Sequence, residues 1–188
     1  MLDIGIGGGR TTNYFSRRVA EYIGIDYSRP MIEACKNRFI DDKEVHFIVS
    51  DATKLPFSRD NYFDLILISY NSIDYVDHDD RKRILSEVQR VLKPDGFFIF
   101  STHNINSLPH NYCIRLTKSL TNTLKGAILY LIFTLLNGNP RQIQTLDRYI
   151  VKDNAHRFRL KTYYIKPDVQ VKALQDMNFK DIETVLFK

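Results

Sequence analysis

Three short segments carry residues whose types and spacing can do chemistry. Asp3-Ile4-Gly5-Ile6-Gly7-Gly8-Gly9 places glycines at alternate positions behind an acidic residue. Glycine lets a backbone turn through positive φ and pass close to a ligand, and a helix after such a loop offers free N–H groups at its start. By position this is a ligand loop, although a dinucleotide fingerprint or a plain turn also uses glycine. Asp26 closes the apolar run Tyr22-Ile23-Gly24-Ile25, 17 positions after Gly9. A carboxylate at a strand end can accept from both hydroxyls of a ribose. Its other reading is a helix cap, but Ser28 is a ready N-cap for a helix starting near Pro30, which leaves Asp26 for a ligand. Asp51-Ala52 follows the next apolar run and sets a polar side chain beside a small residue, as the edge of a purine requires; alone it reads as an ordinary turn.

Strands have to carry these segments. Apolar runs at Tyr22–Ile25, Val45–Val49, Phe63–Ser69 and Phe97–Ser101 alternate with amphipathic stretches at Thr12–Glu21, Arg29–Phe39 and Arg81–Leu92. In the last of these, Ile84, Leu85, Val88, Val91 and Leu92 recur at helical spacing, and Lys93-Pro94-Asp95-Gly96 turns the chain into the next strand. The alternation predicts βαβ units: an α/β fold with a doubly wound, Rossmann-like, mostly parallel sheet and helices on both faces. Only Met1 and Leu2 precede the glycine loop, fewer than the roughly five or six residues of an average strand, so the first strand either lacks upstream residues or is stunted.

At about 150 residues per domain, 188 residues predict one domain. Within it we distinguish a core at 1–104, a basic helical insertion at 105–166 that could serve as a substrate lid, and a C-terminal unit at 167–188. The last begins with Pro167 in a first helical turn, runs to about Met177 and ends in a strand at Phe179–Phe187 with Asp181 and Glu183 on its polar side.

Together these motifs resemble the class I S-adenosylmethionine-dependent methyltransferases over residues 1 to about 104 and 167–188. The glycine loop looks like the family's first motif, and Tyr22–Ser28 with Met31 like its ribose-binding strand end. Asp51-Ala52 with Leu55-Pro56-Phe57 and Phe63-Asp64-Leu65-Ile66 resembles the adenine-binding motif and fourth strand of its small-molecule branch. Leu92-Lys93-Pro94-Asp95-Gly96-Phe97 resembles its turn into the fifth strand. The resemblance implies a seven-stranded sheet and S-adenosyl-L-methionine lying across the carboxyl ends of the strands. It implies that Asp3, Gly5, Gly7 and Gly9 cradle the methionine part, Asp26 the ribose, Tyr27 and Met31 an adenine face, and Asp51 with Ala52 the adenine amine. Ser69 and Tyr70 would then lie near the sulfonium. The family's helix before the first motif and its final antiparallel strand have no counterpart in the sequence.

Composition narrows the partners. Hydrophobic residues make up 44% and charged residues 26%, a globular rather than a disordered balance. Cys35 and Cys113 form neither a CxxC pair nor a ligand cluster, so we expect no zinc or other metal and a reducing, cytoplasmic setting. No basic leader precedes an apolar core at the N-terminus. The run Ala127–Leu136 is about half a membrane span, so no integral membrane segment is expected. The net charge of +5 is uneven: −2 over residues 1–104, +8 over 105–166 and −1 over 167–188. A basic block of that kind attracts anionic partners unless it is merely a solvated surface. Within it, the apolar stretch from Ile128 to Leu136 reads first as a buried cap helix, and otherwise as a hydrophobic acceptor pocket or a membrane-surface contact. Tyr149, Tyr163 and Tyr164 with Arg157, Arg159 and Lys161 can grip an anionic or aromatic acceptor, or stack on single-stranded nucleic acid.

The resemblance implies methyl transfer to a small-molecule acceptor by in-line displacement, chiefly through proximity and orientation. A hydroxyl acceptor adds a need for a general base, for which His78 and His103 are the catalytic candidates; the competing readings are a helix-start cluster and a hydrogen-bonded loop residue. Ser69-Tyr70-Asn71-Ser72 replaces the Asn-Pro-Pro-Tyr tetrad of base amino-methylation, and neither cysteine is placed as a pyrimidine nucleophile. An RNA methyltransferase is therefore a minor reading. A cofactor-binding but inactive or truncated methyltransferase-like protein is the main alternative. A nicotinamide-dependent dehydrogenase fits worst, because Arg10 occupies the last glycine position of GxGxxG.

Overall fold

The computed structural model describes residues 1–186, the His156 side chain excepted. The chain divides into two compact units, one comprising Met1–Ile73 and His78–Ser101, the other Asp74–Asp77 and the chain from Thr102 onward.

The first unit is an α/β layer. Its strands are β1 (Leu2–Ile4), β2 (Tyr22–Asp26), β3 (Val45–Val49), β4 (Phe63–Ile68) and β5 (Leu92–Phe100), and its helices α1 (Thr12–Phe15), α2 (Arg29–Arg38) and α3 (His78–Val91). All four pairings in the sheet are parallel, and the strand order is β3-β2-β1-β4-β5. The chain therefore winds outward from β1 to β3, crosses back, and winds the other way through β4 and β5. Right-handed crossovers then put the connections of the two halves on opposite faces and leave a switch point beside β1. β1 and β2 are buried along their whole length, which is why they read as apolar runs without alternation. Met1, Tyr22, Ile32, Cys35, Phe47 and Leu67 are part of the core on one face; on α3, Ile84, Leu85, Val88 and Val91 supply the buried stripe.

Several expectations shift in detail. The helix expected over Thr12–Glu21 is a single turn, Thr12–Phe15. Thr, Asn, Tyr, Phe and Ser are weak helix formers, and Thr12 turns its hydroxyl inward to Tyr22 at 2.8 Å. The pairing of β4 with β5 jumps from Phe63↔Leu92 to Leu65↔Phe97, so Lys93-Pro94-Asp95-Gly96 is looped out of the ladder as the turn residues foretold. The first unit holds five strands rather than seven. The strand expected at Phe179–Phe187 is absent among its described residues, because Asn178 and Asp181 adopt positive φ of 61° and 50° and break the extended path; Phe187 lies outside the described residues.

The second unit is not the purely helical insertion expected. It contains β6 (His103–Asn104), α4 (Leu108–Asn111), α5 (Leu120–Asn137), α6 (Pro140–Ile143), β7 (Arg148–Lys152), β8 (Lys161–Ile165) and α7 (Pro167–Asp176). β7 and β8 pair antiparallel, β6 joins β8 in parallel, and the sheet order is β6-β8-β7. Its core gathers Ile105, Leu108, Tyr112, Phe133, Ile143 and Tyr164 among others. Contrary to the expected buried cap helix, only Phe133 of α5 is buried. The helix is also longer than its apolar run: by length and composition alone it could cross a membrane.

Candidate functional site

The parallel sheet brings the carboxyl ends of β1, β2, β3 and β4 to one edge of the first unit. The glycine loop leaves β1, Asp26 ends β2, Asp51-Ala52 follows β3 and Ser69-Tyr70 follows β4. Hydrogen bonds and close contacts bind these ends together. Gly5 and Ile6 donate their N–H groups to the Ile25 carbonyl at 2.8 and 3.2 Å, and Ser50 donates to the Asp26 carbonyl at 3.0 Å. The Arg10 guanidinium lies 4.4 Å from the centroid of the Tyr70 ring.

Asp26 is the hinge of the arrangement. It is 8% exposed; its Oδ2 accepts from the Gly7 N–H at 2.9 Å and its Oδ1 from the Ser28 N–H at 2.8 Å. The expectation that the Ser28 side chain caps α2 is not met: Ser28 occupies the N-cap position without a side-chain cap bond. Asp26 instead accepts from the backbone N–H of that N-cap residue. Each of its oxygens still has a second lone-pair direction, so the carboxylate that orders the loop can also accept from ligand hydroxyls.

The loop is tight on one side and open on the other. Gly5, Gly7 and Gly9 take φ of +74°, +51° and +76°. At Gly9 a Cβ would sit 2.9 Å from the Phe39 ring and 3.1 Å from Cys35 Sγ, so a side chain there meets the core. At Gly7 and Gly8 a Cβ would meet nothing within 4 Å. The Gly7 and Gly8 carbonyls are held from below, by Cys35 Sγ at 3.2 Å and by Arg38 at 3.1 Å. α1 is too short to add a macrodipole of consequence, so the helix-start contribution expected from sequence is small. The loop backbone, Arg10, Asn13 and Arg38 border an open cleft of about 440 Å³.

The remaining residues are positioned as follows. Tyr27 is 85% exposed and Met31 46%, leaving both free to cover a planar ring. Asp51 is exposed and folds its Oδ1 back to the Thr53 N–H at 2.8 Å, an Asx-turn; Ala52 beside it is half-buried. Ser69 accepts from the Ser72 hydroxyl at 2.9 Å through its carbonyl, and Tyr70 stands exposed with φ of 53°. Asp3 is fully buried, its Oδ2 accepting from the Tyr22 hydroxyl at 2.6 Å. Its buried Oδ1 makes no hydrogen bond of good geometry among the described residues. Burial pushes the Asp3 carboxyl above its usual range, opposed by the nearby Thr11 and Tyr22 hydroxyls. Burial, then the Asp3 charge, pushes the Tyr22 phenol up as well. Asp3 thus braces β1 against β2 rather than facing solvent.

The two histidines sit in different units. His78 is half-buried at the start of α3. In the second unit, His103 Nδ1 lies 2.8 Å from Oδ2 of the fully buried Asp74, which also accepts from the His103 N–H at 2.7 Å. The ring packs 4.8 Å from that of Tyr164, and its orientation is fixed. Sequence reasoning did not assign Arg10, Arg38 or Ser72 to the site, although a Cβ at Gly5 would lie 2.8 Å from Ser72 Oγ. An arginine directly behind the last loop glycine was the legible signal for the first; the other two reach the loop only through the fold.

Comparison with known proteins finds relatives over the first hundred residues. Residues 2–100 match a family described as a methyltransferase domain. An uncharacterised methyltransferase of Bacillus subtilis is 38% identical over 106 residues, covering 55% of this chain and 40% of that protein. A demethylmenaquinone methyltransferase of Clavibacter sepedonicus is 31% identical over 109 residues, covering 58% and 43%. A fatty-acid O-methyltransferase of Mycolicibacterium smegmatis is 35% identical over 103 residues, covering 54% and 36%. Each match thus spans less than half of the relative. Among solved structures, a 1,6-didemethyltoxoflavin-N1-methyltransferase of Burkholderia thailandensis shares the fold with a TM-score of 0.63 at 15% identity, over 97% of this chain and 60% of that one.

Proposed function

The chain belongs to the methyltransferase domain family, and from that premise we propose that it transfers the methyl group of S-adenosyl-L-methionine to a small organic acceptor. The observation that carries the reading is the convergence of four parallel strand ends on a glycine loop with open space above Gly7 and Gly8 and Asp26 tied to its floor. When bound, S-adenosyl-L-methionine supplies a methyl group on a sulfonium, whose displacement leaves a neutral thioether. Asp26 accepts from the ribose hydroxyls, Tyr27 and Met31 cover the adenine, and Asp51 with Ala52 meets its amine edge. Gly5, Gly7, Gly9 and the open Gly8 shape the bed for the methionine part, and Arg10 and Arg38 give the adjoining cleft a positive potential suited to a carboxylate. Ser69 and Tyr70 border the reacting end. The part left to this chain would be to orient the acceptor against the bound donor, and orientation would supply most of the acceleration. A hydroxyl acceptor would add a need for a general base, for which His78 and His103, the latter held by Asp74, are the candidates.

The relatives named as a demethylmenaquinone methyltransferase and a fatty-acid O-methyltransferase support a small acceptor over nucleic acid. A reducing, cytoplasmic setting belongs to the same reading, supported by two free thiols at Cys35 and Cys113. The test is release of S-adenosylhomocysteine from methyl-labelled S-adenosyl-L-methionine in the presence of quinols, fatty acids and heteroaromatic amines, each tried separately. Acceptor-dependent release is expected. Binding of the donor without release for any acceptor would replace the proposal with the inactive, cofactor-binding alternative.

A further inference from the structure

Helix α5 is turned the wrong way round for a buried helix. Its inward side carries the buried Phe133 and the half-buried Asn137, with Gly126 close to the Cys113 carbonyl. Leu120, Leu124, Ile128, Leu131 and Leu135 are all exposed, Leu120 by 87% and Leu135 by 85%. At 100° per residue these five fall within an arc of about 80°, opposite Phe133. A continuous leucine-isoleucine stripe thus runs the length of an 18-residue helix, and Leu116, 92% exposed, extends it beyond the N-terminus. Scattered exposed leucines need no explanation, but a contiguous stripe marks an interaction surface.

Charge identifies the partner. From residue 105 to 146 the chain contains Arg115, Lys118, Lys125 and Arg141 and no Asp or Glu. Three of these cations flank the N-terminal half of the stripe. A second copy of the chain would bring the same cations to the interface and be repelled, whereas an apolar stripe bordered by cations matches an anionic lipid surface. The helix is anchored against crossing that surface. The Phe133 ring stacks on Tyr112 at 3.9 Å. The Asn137 amide donates to the Lys152 carbonyl at 2.9 Å and accepts from the Lys152 N–H at 2.7 Å. One side of α5 is therefore committed to the second unit and the opposite side is left for the partner.

We propose that α5 lies in the plane of an anionic bilayer surface, its leucine stripe inserted and Arg115, Lys118 and Lys125 on the headgroups, docking the second unit peripherally. The proposal is independent of which acceptor is methylated. The purified 188-residue chain should float with phosphatidylcholine vesicles containing phosphatidylglycerol and detach as salt is raised. Leu124→Glu with Leu131→Glu should weaken binding by about tenfold per leucine, and Lys118→Glu with Lys125→Glu by about fivefold or more per cation. All four side chains are exposed, so each variant should melt by circular dichroism as the parent does. Three results would overturn the proposal: equal binding to pure phosphatidylcholine, no vesicle binding by a folded monomer, or a parent dimer that Leu131→Glu dissociates, which would give the stripe to a second copy.

Discussion

Replacing Asp26 with Ala separates the two tasks assigned to one carboxylate. It is 8% exposed and accepts from the N–H groups of Gly7 at 2.9 Å and Ser28 at 2.8 Å. Loss of those bonds leaves two backbone donors to find water, at a cost of about 1–3 kcal/mol in fold stability. For a chain of this size that lowers Tm by roughly 2–4 °C per kcal/mol. The ligand loses more. Two ribose hydroxyls donating to a carboxylate contribute about 1.5–3 kcal/mol each, together about 3–6 kcal/mol, or roughly a hundredfold to ten-thousandfold in affinity. Calorimetric titration with S-adenosylhomocysteine reads the second effect and thermal melting the first. Asp26→Asn keeps the side chain's size and one acceptor oxygen, and should fall between Ala and the parent in both. A folded Asp26→Ala protein that binds S-adenosylhomocysteine within about threefold of the parent would refute the assignment of Asp26 to the ribose.

The loop glycines should separate in the same way. Gly8→Ala has open space and ordinary φ, so it should melt like the parent yet bind S-adenosylhomocysteine at least about tenfold more weakly; Gly9→Ala should lose about 1–3 kcal/mol of stability through its φ of +76° and its contact with Phe39. Arg10→Ala should weaken S-adenosylhomocysteine, which has a carboxylate, and leave methylthioadenosine, which has none, unchanged; equal losses for both would remove Arg10 from carboxylate recognition. Asp3 makes stability depend on pH. Its folded carboxyl is raised above the ordinary value near 3.8, so between that value and its raised one the folded state holds a proton the unfolded state has released, and stability falls as pH rises through this window. Asp3→Asn should remove that component, and its stability relative to the parent should rise from the acid end of the window to neutrality; a pH-independent difference would contradict the account.

What the sequence disclosed was local and periodic. β3 lies at Val45–Val49 as expected, α2 within one residue of its expected bounds, and the glycine loop and Asp26 at the ends of the first two strands. The second unit was opaque for physical reasons. Arg148-Tyr149-Ile150-Val151-Lys152 is exposed at every position but Val151 and owes its strand to pairing with residues 161–165, a contact no local pattern reports. α5 is apolar nearly all round, so composition could not say which face turns inward; Phe133 and the Asn137–Lys152 bonds decide that. Ser28 illustrates a subtler failure: its type suits a cap, yet its side chain makes no cap bond, and only its backbone N–H is engaged, by Asp26 two residues earlier.

The central claim is that the first unit binds S-adenosyl-L-methionine, and a thermal-shift titration with S-adenosylhomocysteine against NAD tests it most directly. A ligand that binds only the folded state raises stability by RT ln(1 + [L]/Kd), about 2.7 kcal/mol at a hundredfold excess over Kd. The account predicts a saturable upward shift with S-adenosylhomocysteine and none with NAD. A cooperatively folded chain that is shifted by NAD, or by neither ligand, would contradict it.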